Sequence, residues 1–114
     1  PLGGLSNKRN LVSLASLIEA IGLAVRASAD VSGVFHVADE PALSASEIVA
    51  ALRIGMGRPT RLFPGARALL PRALSESLEV DAQAFRAATG WVGADARAAL
   101  VASGAAWRRA RQLR

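Results

Sequence analysis

The chain has 114 residues, a formal charge of +5 from 14 basic and 9 acidic side chains, and a hydrophobic fraction of 52%. That length supports one domain, which buries roughly 65% of the surface its unfolded chain exposes. The absence of cysteine excludes disulfides, thiolate metal ligands and a cysteine nucleophile and favours a reducing compartment, while a single histidine cannot build a zinc site alone.

In chain order, Lys8-Arg9 precedes Asn-Leu-Val-Ser-Leu at 10–14, which suits a short strand. Ser16 can then cap a helix over about 17–29 with Leu17, Ile18, Ile21 and Val25 as its buried stripe. Val31-Ser32-Gly33 turns the chain into Val34-Phe35-His36-Val37-Ala38, whose β-branched and aromatic content predicts a strand buried on both faces, ended by Asp39-Glu40-Pro41. Ser44 and Glu47 have the spacing of a capping box, so a helix starts there, carries Ile48, Val49, Leu52 and Met56 inward, and stops near Gly55 or Gly57 before Pro59. Residues 60–64 read as extended, 66–74 as helical and 78–80 as extended. Asp81 caps a short helix that ends at Gly90, followed at once by Trp91. A last helix over about 94–112 places Ala98, Val101, Ala102 and Ala105 on one stripe, with Trp107 near its end.

The pattern is α/β, with four short extended segments and about five helices. Much of the hydrophobic content is alanine, and three Phe, two Trp and no Tyr supply little large buried area. These helices should therefore lean on something bigger, and four buried strands make a poor sheet without neighbours. The chain opens at Pro1 and its one methionine is Met56, so we expect a piece of a longer protein. No apolar run reaches the ~18 residues of a membrane span and no basic-then-apolar leader precedes the first element, so a cytoplasmic location is expected.

Most candidate chemistry reads as ordinary structure. His36 sits on a presumed core or edge strand, and Asp39-Glu40 before Pro41 looks like loop chemistry rather than a catalytic carboxylate pair. Ser32-Gly33 and Ser103-Gly104 lack the turn a serine nucleophile needs. Gly3-Gly4 and Gly55-Met56-Gly57 match neither a Walker nor a dinucleotide fingerprint. Arg108, Arg109, Arg111 and Arg114 suit a solvated helix end near the carboxyl dipole; the competing reading is a small basic module that binds nucleic acid, against which no stacking aromatics are interleaved among the arginines. Lys8-Arg9 differs, because an arginine fork ahead of a strand can be aimed at a phosphate.

Three collinear stretches, "PLGGLSNKRNLVSLASLIEAI", "GVFHVADEPALSASEIVAALRIGMGRP" and "SLEVDAQAFRAATGW", together resemble the carboxyl-terminal third of NAD-dependent nucleotide-sugar epimerases and dehydratases, the extended short-chain dehydrogenase family. The likeness is to members acting on UDP-linked sugars, and it implies a substrate-binding portion without the Rossmann core. It implies that Arg9 contacts the substrate diphosphate, that Arg72 is a second such contact, that Lys8 supports them, and that Asn10, Ser77 and Asp81 are weaker contacts. Ser16 stands where the family has an acidic or amide residue. The resemblance also implies NAD, a tyrosine base and its lysine in a missing amino-terminal Rossmann domain, since this chain has no Tyr and one Lys. The expectations are therefore no catalytic residue, no NAD bound and no activity in this chain alone, no membrane or nucleic-acid partner, and self-association through exposed apolar faces.

Overall fold

The computed structural model describes residues 5, 7–28, 30–61 and 76–112. It is a mixed α/β arrangement with β1 (Lys8–Leu11), α1 (Leu14–Arg26), β2 (Asp39–Ser44), α2 (Ala45–Gly55), α3 (Gln83–Thr89) and α4 (Ala96–Gln112). The sheet among the described residues is two-stranded and antiparallel, with Lys8 opposite Ser44, Arg9 opposite Leu43 and Leu11 opposite Asp39, and a parallel bridge joins Arg9 to Leu78. The helix expected over 66–74 lies outside the described residues.

Both strands fall elsewhere than the sequence pattern suggested. β1 starts at Lys8, so the basic pair is inside the strand rather than ahead of it, because its backbone finds partners on two sides. The second strand is not 34–38 but 39–44. Residues 34–38 alternate, with Val34 and His36 outward and Phe35 and Val37 toward the core, and no strand pairs with them among the described residues. His36 is thus exposed and not a core histidine.

α1 begins three residues earlier than expected, because Ser13 rather than Ser16 holds the extended cap conformation and its Oγ accepts from the Ser16 amide at 3.2 Å. Its buried positions are Ser16 and Ala20, with Leu23 packed alongside the core. Three of the four residues expected to be buried are exposed: Ile18 at 61%, Ile21 at 55% and Val25 at 80%, in line with Leu14 at 73%. Periodicity does mark this stripe, with Glu19 and Arg26 on the other side of the helix, but among the described residues the core meets the small side chains of Ser16 and Ala20 instead.

A small core gathers Ala20, Ala82, Phe85 and Trp91, flanked by Leu23, Phe35 and Val37. Gly90 ends α3 in the left-handed conformation at φ 72°, and the next residue, Trp91, drops into the core edge-on to Phe85. Asp81 does act at this helix start, its Oδ1 accepting from the Gln83 amide at 2.7 Å.

The capping box forms as expected: the Glu47 amide donates to Ser44 Oγ at 3.2 Å and the Ser44 amide donates to Glu47 Oε2 at 2.8 Å. α2 then crosses α4 at two glycines. A Cβ on Gly55 would strike the Val101 carbonyl, and one on Gly104 would strike the Leu52 carbonyl. The seam of α4 therefore runs through Ala96 and Gly104 with Val101 and Ala105 beside it, while Ala98 and Ala102, expected on the inner stripe, are exposed.

Candidate functional site

β1 is sandwiched between β2 and residues 76–80, and that ladder assembles the basic edge. The Lys8 amide donates to Ser77 Oγ at 2.9 Å, the Leu78 amide to the Lys8 carbonyl at 2.8 Å, and the Asn10 amide to the Leu78 carbonyl at 3.2 Å. The Val80 amide donates to Asn10 Oδ1 at 2.9 Å. Arg9 Nη2 donates to the Glu76 carbonyl at 2.9 Å, which anchors one arm of the guanidinium. Four of the six residues expected at the site, Lys8, Arg9, Asn10 and Ser77, are thus brought together; Asp81 lies in the groove beside Asn10, and Arg72 lies outside the described residues. Asn10 and Ser77 act there as clips that accept backbone amides and fix segment 76–80 against β1.

Charge around Lys8 is balanced locally. Its Nζ lies 3.8 Å from Glu47 Oε2, and Arg97 Nη2 lies 3.2 Å from Glu47 Oε1. The Ser44 amide and hydroxyl hold the Glu47 carboxyl below its ordinary value, with Lys8 and Arg97 adding to the effect against a small opposing contribution from burial.

A groove of about 540 Å³ opens beside Asn10, lined also by Glu40, Pro41, Ala42, Glu79, Val80 and Asp81. Its three carboxylates would repel a phosphate and offer acceptors to hydroxyl groups or a cation. Arg9 does not line it. Glu40 is tied to Arg86 at 2.7 Å, and that guanidinium also sits 5.6 Å above the Trp91 ring.

The residue whose role sequence reasoning missed is Asp39, read there with Glu40 as ordinary loop chemistry. Only 1% exposed, its carboxylate accepts from the Ser13 amide at 2.7 Å and the Ala94 amide at 2.9 Å, and from the Ser16 hydroxyl. Burial pushes its pKa up, but these hydrogen bonds outweigh burial and hold it below the ordinary 3.8. Asp39 joins the start of α1, the start of β2 and the turn before α4, and so organises the scaffold. Its neighbours are 26 and 55 positions away, which leaves no local motif to betray it.

The glycine-dense turn at Gly55-Met56-Gly57 is a helix stop closed by α4, with an Arg108 Nη1 lying 2.6 Å from where a Gly57 Cβ would sit. Among the described residues no group of three His, Cys, Asp or Glu is placed to hold a metal ion, and no helix is long and apolar enough to cross a membrane. Comparison of the chain with protein-family models, with curated proteins and with solved structures finds no match.

Proposed function

We propose that this chain is the carboxyl-terminal, substrate-binding portion of an NAD-dependent nucleotide-sugar epimerase, dehydratase or reductase acting on a UDP-linked sugar in the cytoplasm. Arg9, with Arg72, holds the diphosphate, and Lys8 adds charge at the same edge. The observation that carries the reading is the ladder between β1 and residues 76–80, which gathers Lys8, Arg9, Asn10 and Ser77 from two segments almost 70 positions apart. A guanidinium oriented by the Glu76 carbonyl loses little further freedom on meeting a diphosphate.

The apolar stripe of Leu14, Ile18, Ile21 and Val25 supports the second half of the proposal. A dinucleotide-binding domain seated on it would supply the tyrosine, the lysine and NAD, none of which this chain provides. Titration of the longer natural protein with UDP-sugar tests the reading. Arg9→Ala should weaken binding by about 1.5–3 kcal/mol, the worth of a charge-assisted contact. Unchanged affinity removes Arg9 from the site.

A further inference from the structure

The carboxyl-terminal turns of α2 and α4 converge on a second basic feature. Met56 and Arg58 from one side and Trp107, Arg108, Arg111 and Gln112 from the other line a half-open surface cavity of about 160 Å³. We propose that this cavity binds the phosphate groups of a small diphosphate-bearing anion, independently of the Arg9 edge.

The geometry behind this is fixed by packing. The Gly55–Gly104 crossing locks the two helices together just before their ends. Arg53 Nε donates to the Pro59 carbonyl at 2.6 Å and the Arg58 amide to the Arg53 carbonyl at 2.8 Å, which pins the turn that presents Arg58. Gly57 takes a left-handed φ of 67°, and the Arg108 guanidinium lies directly over it. The Arg111 guanidinium stacks 4.4 Å above the Trp107 ring, which orients its donors.

The charge is one-sided. Residues 48–61 and 96–112 contain Arg53, Arg58, Arg61, Arg97, Arg108, Arg109 and Arg111 and no Asp or Glu. Arg97 is engaged by Glu47, but no carboxylate lines the cavity. Both helices point their negative ends here, about −0.5 of a charge each; three guanidinium groups exceed that. Capping of helix carbonyls therefore does not exhaust the positive charge. Size sets the ligand: drug-sized molecules take pockets of roughly 300–1,000 Å³, whereas this cavity suits a phosphate or diphosphate group with anything attached to it lying outside, against Trp107.

The test is calorimetric and fluorimetric titration of the 114-residue chain with inorganic pyrophosphate at low salt, beside a nucleoside diphosphate and a single-stranded oligonucleotide. Pyrophosphate should bind one to one and change Trp107 emission, a response that Trp107→Phe abolishes and that leaves the buried Trp91 silent. Arg58→Ala and Arg108→Ala should each weaken binding by ~10-fold or more, and Arg9→Ala should leave the Trp107 response intact, which separates this site from the UDP-sugar edge. Tighter, more strongly quenching binding of the nucleoside diphosphate would identify a nucleotide as the source; equal binding would identify the bare diphosphate. No binding of pyrophosphate overturns the proposal, as does binding that Arg58→Ala and Arg108→Ala do not alter. Oligonucleotide binding without pyrophosphate binding also overturns it, in favour of a nucleic-acid surface.

Discussion

Replacing Asp39 by asparagine changes one atom in the most enclosed carboxylate of the chain. The native group accepts from two backbone amides, at 2.7 Å from Ser13 and 2.9 Å from Ala94, and from the Ser16 hydroxyl. Asparagine keeps one acceptor oxygen and turns an NH₂ toward the other amide, so one buried N–H loses its partner and faces a donor. An unsatisfied buried donor costs roughly 1–3 kcal/mol and the lost charge assistance adds to it, so Asp39→Asn should destabilise by about 2–4 kcal/mol. Against a total of about 5–15 kcal/mol for an ordinary domain, that is a large share. Urea unfolding at pH 7, followed by the emission of buried Trp91, measures it as a lower midpoint at unchanged slope. The acid limb gives an independent reading. Because the folded-state pKa of Asp39 is below 3.8, its contribution is complete well above that value and is lost as pH falls through the folded-state pKa. Wild type should therefore approach the variant's stability below about pH 3.8. A loss under ~0.5 kcal/mol, the range of inert surface changes, would refute the view of Asp39 as the tie between α1, β2 and α4.

Gly104→Ala would gain about 1 kcal/mol in an exposed helix, but against the Leu52 carbonyl it should instead destabilise by about 1–3 kcal/mol; thermal or urea unfolding gives the sign. Ser44→Ala removes half of the capping box and should cost about 1 kcal/mol at pH 7. That difference should shrink as pH falls below 4.5, because the Glu47 carboxyl, whose folded pKa is lowered in part by the Ser44 hydroxyl, protonates and loses that charge-assisted contact, which alanine cannot make at any pH. Ile18→Glu and Ile21→Glu lie on the exposed stripe and should leave the stability of the 114-residue chain within about 0.5 kcal/mol while abolishing capture of a dinucleotide-binding partner in a pull-down; a loss above ~1.5 kcal/mol would mean the stripe is covered within the fold.

Local chemistry was legible wherever it was self-contained. The Ser44/Glu47 box, the Gly90 stop before Trp91 and the long final helix rest on residues within a turn of each other, and each forms as its spacing indicates. Strand identity was not, because β-propensity reflects the neighbour a segment finds. Residues 34–38 have the composition of a buried strand, but Asp39–Ser44, containing a proline and two acids, is the segment that pairs. The facing of α1 failed for a related reason: the apolar stripe of Leu17, Ile18, Ile21 and Val25 is real, but which neighbour a stripe meets is not written in its own residues, and here the small Ser16 and Ala20 turn inward. At the candidate site, the gathering of Lys8, Arg9, Asn10 and Ser77 was expected only by likeness to a family, since no spacing links β1 to residues 76–80. The basic cavity did leave a trace in sequence, with Trp107 and Arg111 one helical turn apart, but its other wall comes from Arg58.

The paired glycines where α2 meets α4 also have a mechanical consequence. With no side chains between them, the two backbones have no soft layer in which to slide, so α2 behaves as a strut about 16 Å long. One end of that strut carries Glu47, the counter-charge of Lys8, and the other carries Arg58. Because the crossing pins that strut to α4 between its two ends, each end keeps its geometry whatever happens at the other, and a ligand at Lys8 would leave the turn of Arg58 where it stands.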